Sequence, residues 1–421
     1  MRKYIQDITV RNWLNIGVFN LMIVAALGLL MRLKIVLPLP FVNQQYILHA
    51  HSHFAFSGWV SHALMALLAM ALVGGYARSR LPQHYQYTLL ANQVVAFGML
   101  LAFAWQGYAA VSIVFSTLSV LISYLFAFLA WRDLGQSNLA KRTQIWFKAA
   151  LLFLVISSLG TFYLAYLMKT GNTDPRRQLA AVYFYLHFQY NGWFFLMCMG
   201  LASYWFHVRN LVIRHEKWVQ MVFVLGCIPA YMLSILWYDL PIVLYIILVA
   251  VVLLQLGAWG SWIGALWKHK AKIQQIERAS LLKILIYCVV VAASIKFILQ
   301  AFSVIPSLST LAYSFRPIVI GYLHLVLLGV ITLSILTYSF QLRILPVNVW
   351  TRTAVVAFVV GIVANELFLM IQGLGGLVRV YVPNMPIALV FAAVLMLLSL
   401  LFLLAFARSD QRHKDKLPQK E

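Results

Sequence analysis

Histidine recurs at matching places in three long apolar segments of the chain. The sequence His53-Phe-Ala-Phe-Ser-Gly is repeated as His187-Phe-Gln-Tyr-Asn-Gly and, more weakly, as His324-Leu-Val-Leu-Leu-Gly. Neutral imidazole is the commonest metal ligand among side chains, and ionisable groups inside membranes are costly and usually functional. We therefore expect three imidazoles on one layer that could hold a metal or a haem. The structural alternative is three helix-packing histidines bonded to carbonyl groups.

The elements that carry these histidines are predicted to be transmembrane helices. Hydrophobic residues make up 63% of the 421 positions and charged residues 10%, whereas soluble domains carry about a quarter charged residues. A span needs about 20 mainly apolar residues. Twelve stretches qualify: 13–33, 47–75, 86–107, 108–131, 145–168, 179–207, 217–237, 241–267, 281–302, 316–341, 351–373 and 385–408.

The spacing of the repeats divides these spans into three four-helix units. The predicted fold is an all-α, twelve-span membrane domain over 1–421, with pseudo-threefold units at 13–131, 145–267 and 281–408 and a basic cytoplasmic tail at 409–421. Most of the 32 lysines and arginines fall on one side, which places both termini in the cytoplasm by the positive-inside rule. The net charge of +22 then reflects topology, and we expect lipid and not nucleic acid as the partner.

Further polar groups lie inside the predicted spans. His51 could supply a second ligand, although it points away from the face shared by His49 and His53. Lys296 and Glu366 could form a proton path or a structural ion pair. Three cysteines lie apart in apolar runs, so neither a disulfide framework nor a thioether-bound haem is expected.

Twelve spans with histidines on the second, sixth and tenth resemble the large subunit of the haem-copper oxidase superfamily, which includes cytochrome c and quinol oxidases and nitric oxide reductases. The resemblance implies that His53 and His324 clamp a low-spin haem b. The sequence Gly376-Leu-Val-Arg379-Val-Tyr381 is similar to the loop between spans eleven and twelve whose arginines hold haem propionates. It implies that Arg379 is a propionate partner.

The family's second metal centre is matched only in part. The sequence His187-Phe-Gln-Tyr-Asn191-Gly is similar to the His-x-x-x-Glu-Gly motif of nitric oxide reductases, in which the histidine binds the non-haem metal. It implies copper or non-haem iron at His187. The tenth span has Tyr322 where the family has the high-spin haem ligand, so that ligand is absent unless Tyr322 serves as one. The seventh span contains no histidine. Catalysis by an oxidoreductase of this type is therefore left open.

Two arrangements of ligands and three functions follow. His53 could pair with His324, which we prefer, or with His187, in which case His51 would face His324. The leading function is electron transfer or the handling of nitric oxide or oxygen in a bacterial-type inner membrane, with a quinol or a separate redox protein as donor. The alternatives are a non-catalytic haem or copper sensor or assembly factor, and a twelve-span transporter.

Overall fold

Helices account for every named secondary-structure element of the described residues. The computed structural model describes residues 8–276, 280–306, 308 and 316–414. The helices, in chain order, are α1 Val10–Val36, α2 Gln44–Leu72, α3 Gln83–Gln106, α4 Ala110–Gln136, α5 Lys141–Lys169, α6 175–208, α7 Glu216–Gly226, α8 Ile242–Lys268, α9 Lys270–Ile276, α10 Ser280–Phe302, α11 Arg316–Gln341, α12 Val349–Leu377 and α13 Met385–Lys414.

Local sequence determines where several of these helices begin. The Thr9 and Asn43 side chains cap α1 and α2 by accepting hydrogen bonds from backbone amides of the first turn. Asp174 caps α6 in the same way, and Pro175 occupies the first helical position, where its missing N–H costs nothing. Asn348 and Thr351 form a reciprocal capping box at the start of α12.

The predicted membrane character is confirmed, but the count of twelve spans is not. Ten helices of the described residues are long and apolar enough to cross a membrane. They become eleven when α7 and the 3₁₀ helix Pro229–Ile235, which meet at a bend of 47°, are taken as one span. The helix α6 is not among them. Its first turns carry Arg176, Arg177 and Gln178, and its middle carries further amides.

Two compact units can be described separately. The first comprises residues 8–122, 280–285 and 335–414, and the second comprises 123–276, 286–306, 308 and 316–334. In the first unit α2 packs on α3, and α13 packs on α1 and α12. In the second, α5 packs along α6, and α7 packs on α8. His53 lies in the first unit, whereas His187 and His324 lie in the second. The three predicted sequence units stay a prediction.

Candidate functional site: three histidines beside π-helical turns

Each of the three repeat histidines lies at the start of a π-helical segment. His53 is two residues before the π-helix Ala55–Ser61 in α2, His187 is directly before Phe188–Phe194 in α6, and His324 is directly before Leu325–Thr332 in α11. π-Helical segments are rare and occur frequently at functional sites. The three repeats therefore share a backbone irregularity as well as a residue pattern, which the sequence alone did not predict.

Side-chain amides satisfy backbone carbonyls of the π-helix in α2. The buried Asn20 of α1 donates to the Gly58 carbonyl at 2.5 Å, and Asn92 of α3 donates to the Ser57 carbonyl at 3.1 Å. Asn20 also exchanges two hydrogen bonds with Gln93, each 3.0 Å long. These polar residues hold the segment that follows His53. Sequence reasoning missed them, although amides in apolar spans were a visible signal.

The glycine of each repeat meets a neighbouring side chain. A Cβ added at Gly192 would lie 2.5 Å from the Cβ of Phe153 on α5, and one added at Gly329 would lie 3.1 Å from the Cβ of Ala292 on α10. At Gly58 the close neighbour is the ring of Phe54. The contacts at Gly192 and Gly329 match the close approach of another helix that small residues allow.

The His53 imidazole lies in an aromatic cluster in the first unit. Its ring stacks on Phe103 with a centroid separation of 4.3 Å, and its Nε2 lies 2.8 Å from the Tyr108 hydroxyl. A phenol keeps its proton at neutral pH, so Tyr108 can donate it to Nε2. The His49 ring packs edge-on against Tyr108 at 4.6 Å. Sequence reasoning did not single out Tyr108 or Phe103.

His51 and His62 face the other side of α2, as helical spacing predicts. Nδ1 of His51 lies 3.0 Å from the Val24 carbonyl of α1, and Gly28 leaves room for its ring. Nε2 of His62 lies 3.1 Å from the Trp13 carbonyl. Both contacts place these histidines against α1. A ligand role for His51 stays a prediction.

Both ring nitrogens of His187 are hydrogen-bonded inside the second unit. Nε2 lies 2.8 Å from the Cys227 carbonyl, and Nδ1 lies 3.2 Å from the Asn191 amide nitrogen. A carbonyl can only accept, so Nε2 carries the proton and Nδ1 accepts from Asn191. A metal could bind this imidazole only after one of these bonds is given up.

The His324 imidazole is oriented by its own helix. Its Nδ1 donates to the Ile320 carbonyl at 2.8 Å, which leaves the lone pair of this tautomer on Nε2. Metal-binding histidines usually donate their other ring N–H to a carbonyl or carboxylate in this way. Tyr322 lies two residues earlier, on another face of the helix, and packs its ring edge-on to Tyr190 with centroids 6.5 Å apart.

The predicted partners Lys296 and Glu366 lie in different units, and their pairing stays a prediction. Lys296 is 2% exposed, and its Nζ donates to the Gln300 amide oxygen at 3.2 Å. Glu366 accepts a hydrogen bond from Asn365 at 3.1 Å and interacts electrostatically with Arg32 of α1. Within its unit, each charged group therefore has an interaction of its own.

Arg379 occupies the turn between α12 and α13, where the resemblance placed it. It is exposed and adopts a left-handed backbone conformation with φ 56°, and its backbone N–H donates to the Gly376 carbonyl at 3.3 Å. This conformation closes the end of α12 and turns the chain toward α13. The role of the guanidinium as a propionate partner stays a prediction.

Among the residues that the structure describes, no three His, Cys, Asp or Glu side chains are grouped as metal ligands. Axial ligation of a haem by two histidines requires one imidazole on each face of the macrocycle. It does not require a group of three metal ligands. Comparison with models of known protein families found no match, and comparison with characterised proteins found no significant similarity. Functional inference therefore depends on the residues themselves.

Proposed function

We propose that the protein is a twelve-span membrane protein that binds haem b between His53 and His324 and serves in electron transfer, similar to the large subunit of haem-copper oxidases. The observation that supports this is the π-helical segment beside each repeat histidine. One such segment could be a local accident of packing. Three at repeat-equivalent positions favour a common ancestral site built on these helices.

The twelfth span in this proposal is α6. It is much longer than the roughly 20 residues that a span requires, and two of its side-chain amides donate hydrogen bonds to other side chains of the protein. Gln189 donates to the Ser157 hydroxyl of α5 at 2.9 Å, and Asn191 donates to His187. Amides paired with a neighbouring helix in this way are compatible with a membrane interior. Their presence lowers the apolarity of the helix without preventing its insertion.

The two proposed axial ligands fit a haem differently. His324 donates its Nδ1 proton to the Ile320 carbonyl, an arrangement that suits an imidazole ligand bound through Nε2. His53 has a hydrogen bond from Tyr108 on Nε2, so this hydroxyl must move aside when Nε2 binds iron. Tyr108 lies in the short connection between α3 and α4, outside either helix. A rotation of its side chain is enough to release the imidazole.

Two axial imidazoles would give a six-coordinate haem, which transfers electrons and has no open position for a gas. Handling of nitric oxide or oxygen instead requires an open position and, in the related oxidases, a second metal. His187 is the candidate ligand for copper or non-haem iron. A quinol or a separate redox protein is the proposed electron donor.

One observation favours a second candidate, a non-catalytic haem or copper sensor or assembly factor. The two hydrogen bonds of His187, to Cys227 and Asn191, occupy the imidazole that a catalytic metal would use. This arrangement is self-sufficient without a metal. A protein that binds haem without turnover would retain the His53 and His324 sites and lose the chemistry at His187.

The test is a reduced-minus-oxidised spectrum with a pyridine haemochrome assay on the purified protein. We expect a b-type spectrum that is lost in His53→Ala and in His324→Ala. His49→Ala is the matched control, because this residue lies one turn before His53 on the same face and also contacts Tyr108. Protein without haem, or haem retained in both ligand variants, would overturn the proposal.

Further readouts separate the alternatives. A shift of the reduced spectrum on adding carbon monoxide would show an open position and favour gas handling over electron transfer. Copper or iron bound in proportion to protein, and lost in His187→Ala, would favour retained metal chemistry. A transporter would purify colourless with both ligand histidines intact.

A further inference from the structure

A small cavity lies beside His187 in the second unit. Four polar side chains and three phenyl rings line it together with Cys227 and Ala230. The polar side chains are those of Asn191, Gln255, Lys296 and Gln300, and the rings are those of Phe195, Phe223 and Phe297. The cavity is large enough for about one water molecule. Its lining includes polar groups, as a hydrated cavity requires.

The polar groups of the cavity differ in what they offer to a ligand. The Lys296 ammonium has three N–H donors and no acceptor. One donor bonds to Gln300, and the charge lies 4.0 Å from the Phe297 ring centre. The Asn191 amide oxygen is buried and has no hydrogen-bond partner. The cavity therefore presents donors from Lys296 and an acceptor from Asn191.

The donors of Lys296 and the acceptor of Asn191 together determine which class of ligand the cavity can hold. An anion would pair with Lys296 but would face the oxygen of Asn191, and a cation would face the ammonium. A water molecule can accept from Lys296 and donate to Asn191, and so satisfies both. We propose that the cavity is a binding site for one ordered water molecule that couples Lys296 to Asn191 and, through Asn191, to His187. This inference does not depend on haem binding.

The direction of the hydrogen bonds makes the coupling specific. The Asn191 amide nitrogen donates to Nδ1 of His187, and Nε2 of His187 donates to the Cys227 carbonyl. With the water in place, each group from Lys296 to Cys227 donates to the next. A protonated Lys296 has only donors, so the water accepts from it and keeps its own hydrogens for Asn191. Lys296 is thus a positioning residue for His187.

The proposal is tested by a density map and by a double-mutant cycle. A density map of the full-length protein in lipid, at a resolution that shows water, is expected to contain one water within hydrogen-bond distance of Lys296 and Asn191. An empty cavity overturns the proposal. In the cycle, Asn191→Asp replaces the neutral acceptor with a carboxylate, and its effect on Tm is measured in three backgrounds.

We expect Asn191→Asp to lower the Tm much less in the native background than in the Lys296→Met background. In the native background the new carboxylate faces the Lys296 ammonium across the water, whereas in Lys296→Met it faces no charge there. Lys148→Met is the matched control background. Lys148 is a second lysine inside a span of this unit, and its ammonium lies near Trp131 and not at the cavity. Equal changes of Tm in all three backgrounds would overturn the coupling, whether or not the protein binds haem.

Discussion

The Tyr108 hydroxyl lies 2.8 Å from Nε2 of His53, the ring nitrogen that an iron atom would bind in the proposed haem site. The same imidazole stacks on Phe103, and the His49 ring packs edge-on against Tyr108. The residue before Tyr108 is Gly107, which has a left-handed φ of 63°, and a Cβ added there would lie 2.5 Å from the Tyr46 ring. The connection between α3 and α4 is thus shaped to bring a hydroxyl to this histidine.

Replacing Tyr108 with phenylalanine separates two effects of its hydroxyl, namely stabilisation of the protein and competition with haem iron for Nε2 of His53. Tyr108→Phe removes one hydrogen bond, so we expect the haem-free protein to lose about 1 kcal/mol of stability. The haem content of the purified protein is expected to equal or exceed that of the native chain, because the competitor for Nε2 is gone. Tyr76→Phe, at an exposed position, is the control. Loss of haem in Tyr108→Phe alone would mean that the hydroxyl supports the site.

A second prediction concerns the amides that hold the π-helix of α2. Asn20→Leu leaves the Gly58 carbonyl and Gln93 without their buried partner. An unsatisfied buried polar group costs about 1 to 3 kcal/mol, so we expect a loss of that size in the free energy of unfolding. Thermal unfolding in detergent measures it. An unchanged Tm in Asn20→Leu would show that water or a neighbouring group replaces the amide.

The helical architecture could be predicted because long apolar runs have few solutions in lipid. The boundary expected near Gln106 and Gly107 matches the end of α3. The opposite orientations of His51 and His53 on α2 also follow from helical spacing. The count of spans was less certain, since α6 combines sufficient length with many polar residues, and composition alone cannot show that these residues are paired.

The surroundings of the site residues could not be predicted from the sequence. The π-helical segments depend on how side chains such as Asn92 meet backbone carbonyls across helices, and no residue pattern specifies this. The bonds of His187 join residues 40 positions apart in the chain. The sequence analysis treated Asn191 as a lost carboxylate, whereas its amide donates to His187.

A third prediction concerns the repeat glycine of α6. A Cβ at Gly192 would lie 2.5 Å from Cβ and 2.9 Å from Cγ of Phe153, atoms that cannot move without shifting α5. Overpacking of this kind costs about 1 to 3 kcal/mol, so Gly192→Ala should lower the Tm. Gly260→Ala on α8, with open space around the added methyl, should be neutral or stabilising. Equal effects would mean that α5 and α6 are not packed this closely.

The last prediction concerns a buried carboxylate at one end of the second unit. Glu216 is 1% exposed, accepts from the Ser203 hydroxyl at 2.6 Å and lies 3.1 Å from Nε2 of His207. Ser203 in turn lies 3.0 Å from the Thr143 hydroxyl, so the carboxylate joins α7 to α6 and α5.

Glu216→Ala should destabilise the protein by about 2 kcal/mol or more, because it removes a hydrogen bond from the buried Ser203 hydroxyl to a charged acceptor and also the partner of His207. Glu216→Gln should cost less, since its amide oxygen can still accept from Ser203. His207→Ala should cost least of the three, because this side chain is 30% exposed and solvent can replace its bond to the carboxylate. Thermal unfolding of the three variants measures this order. If Glu216→Ala proves no worse than His207→Ala, the carboxylate does not hold these helices together.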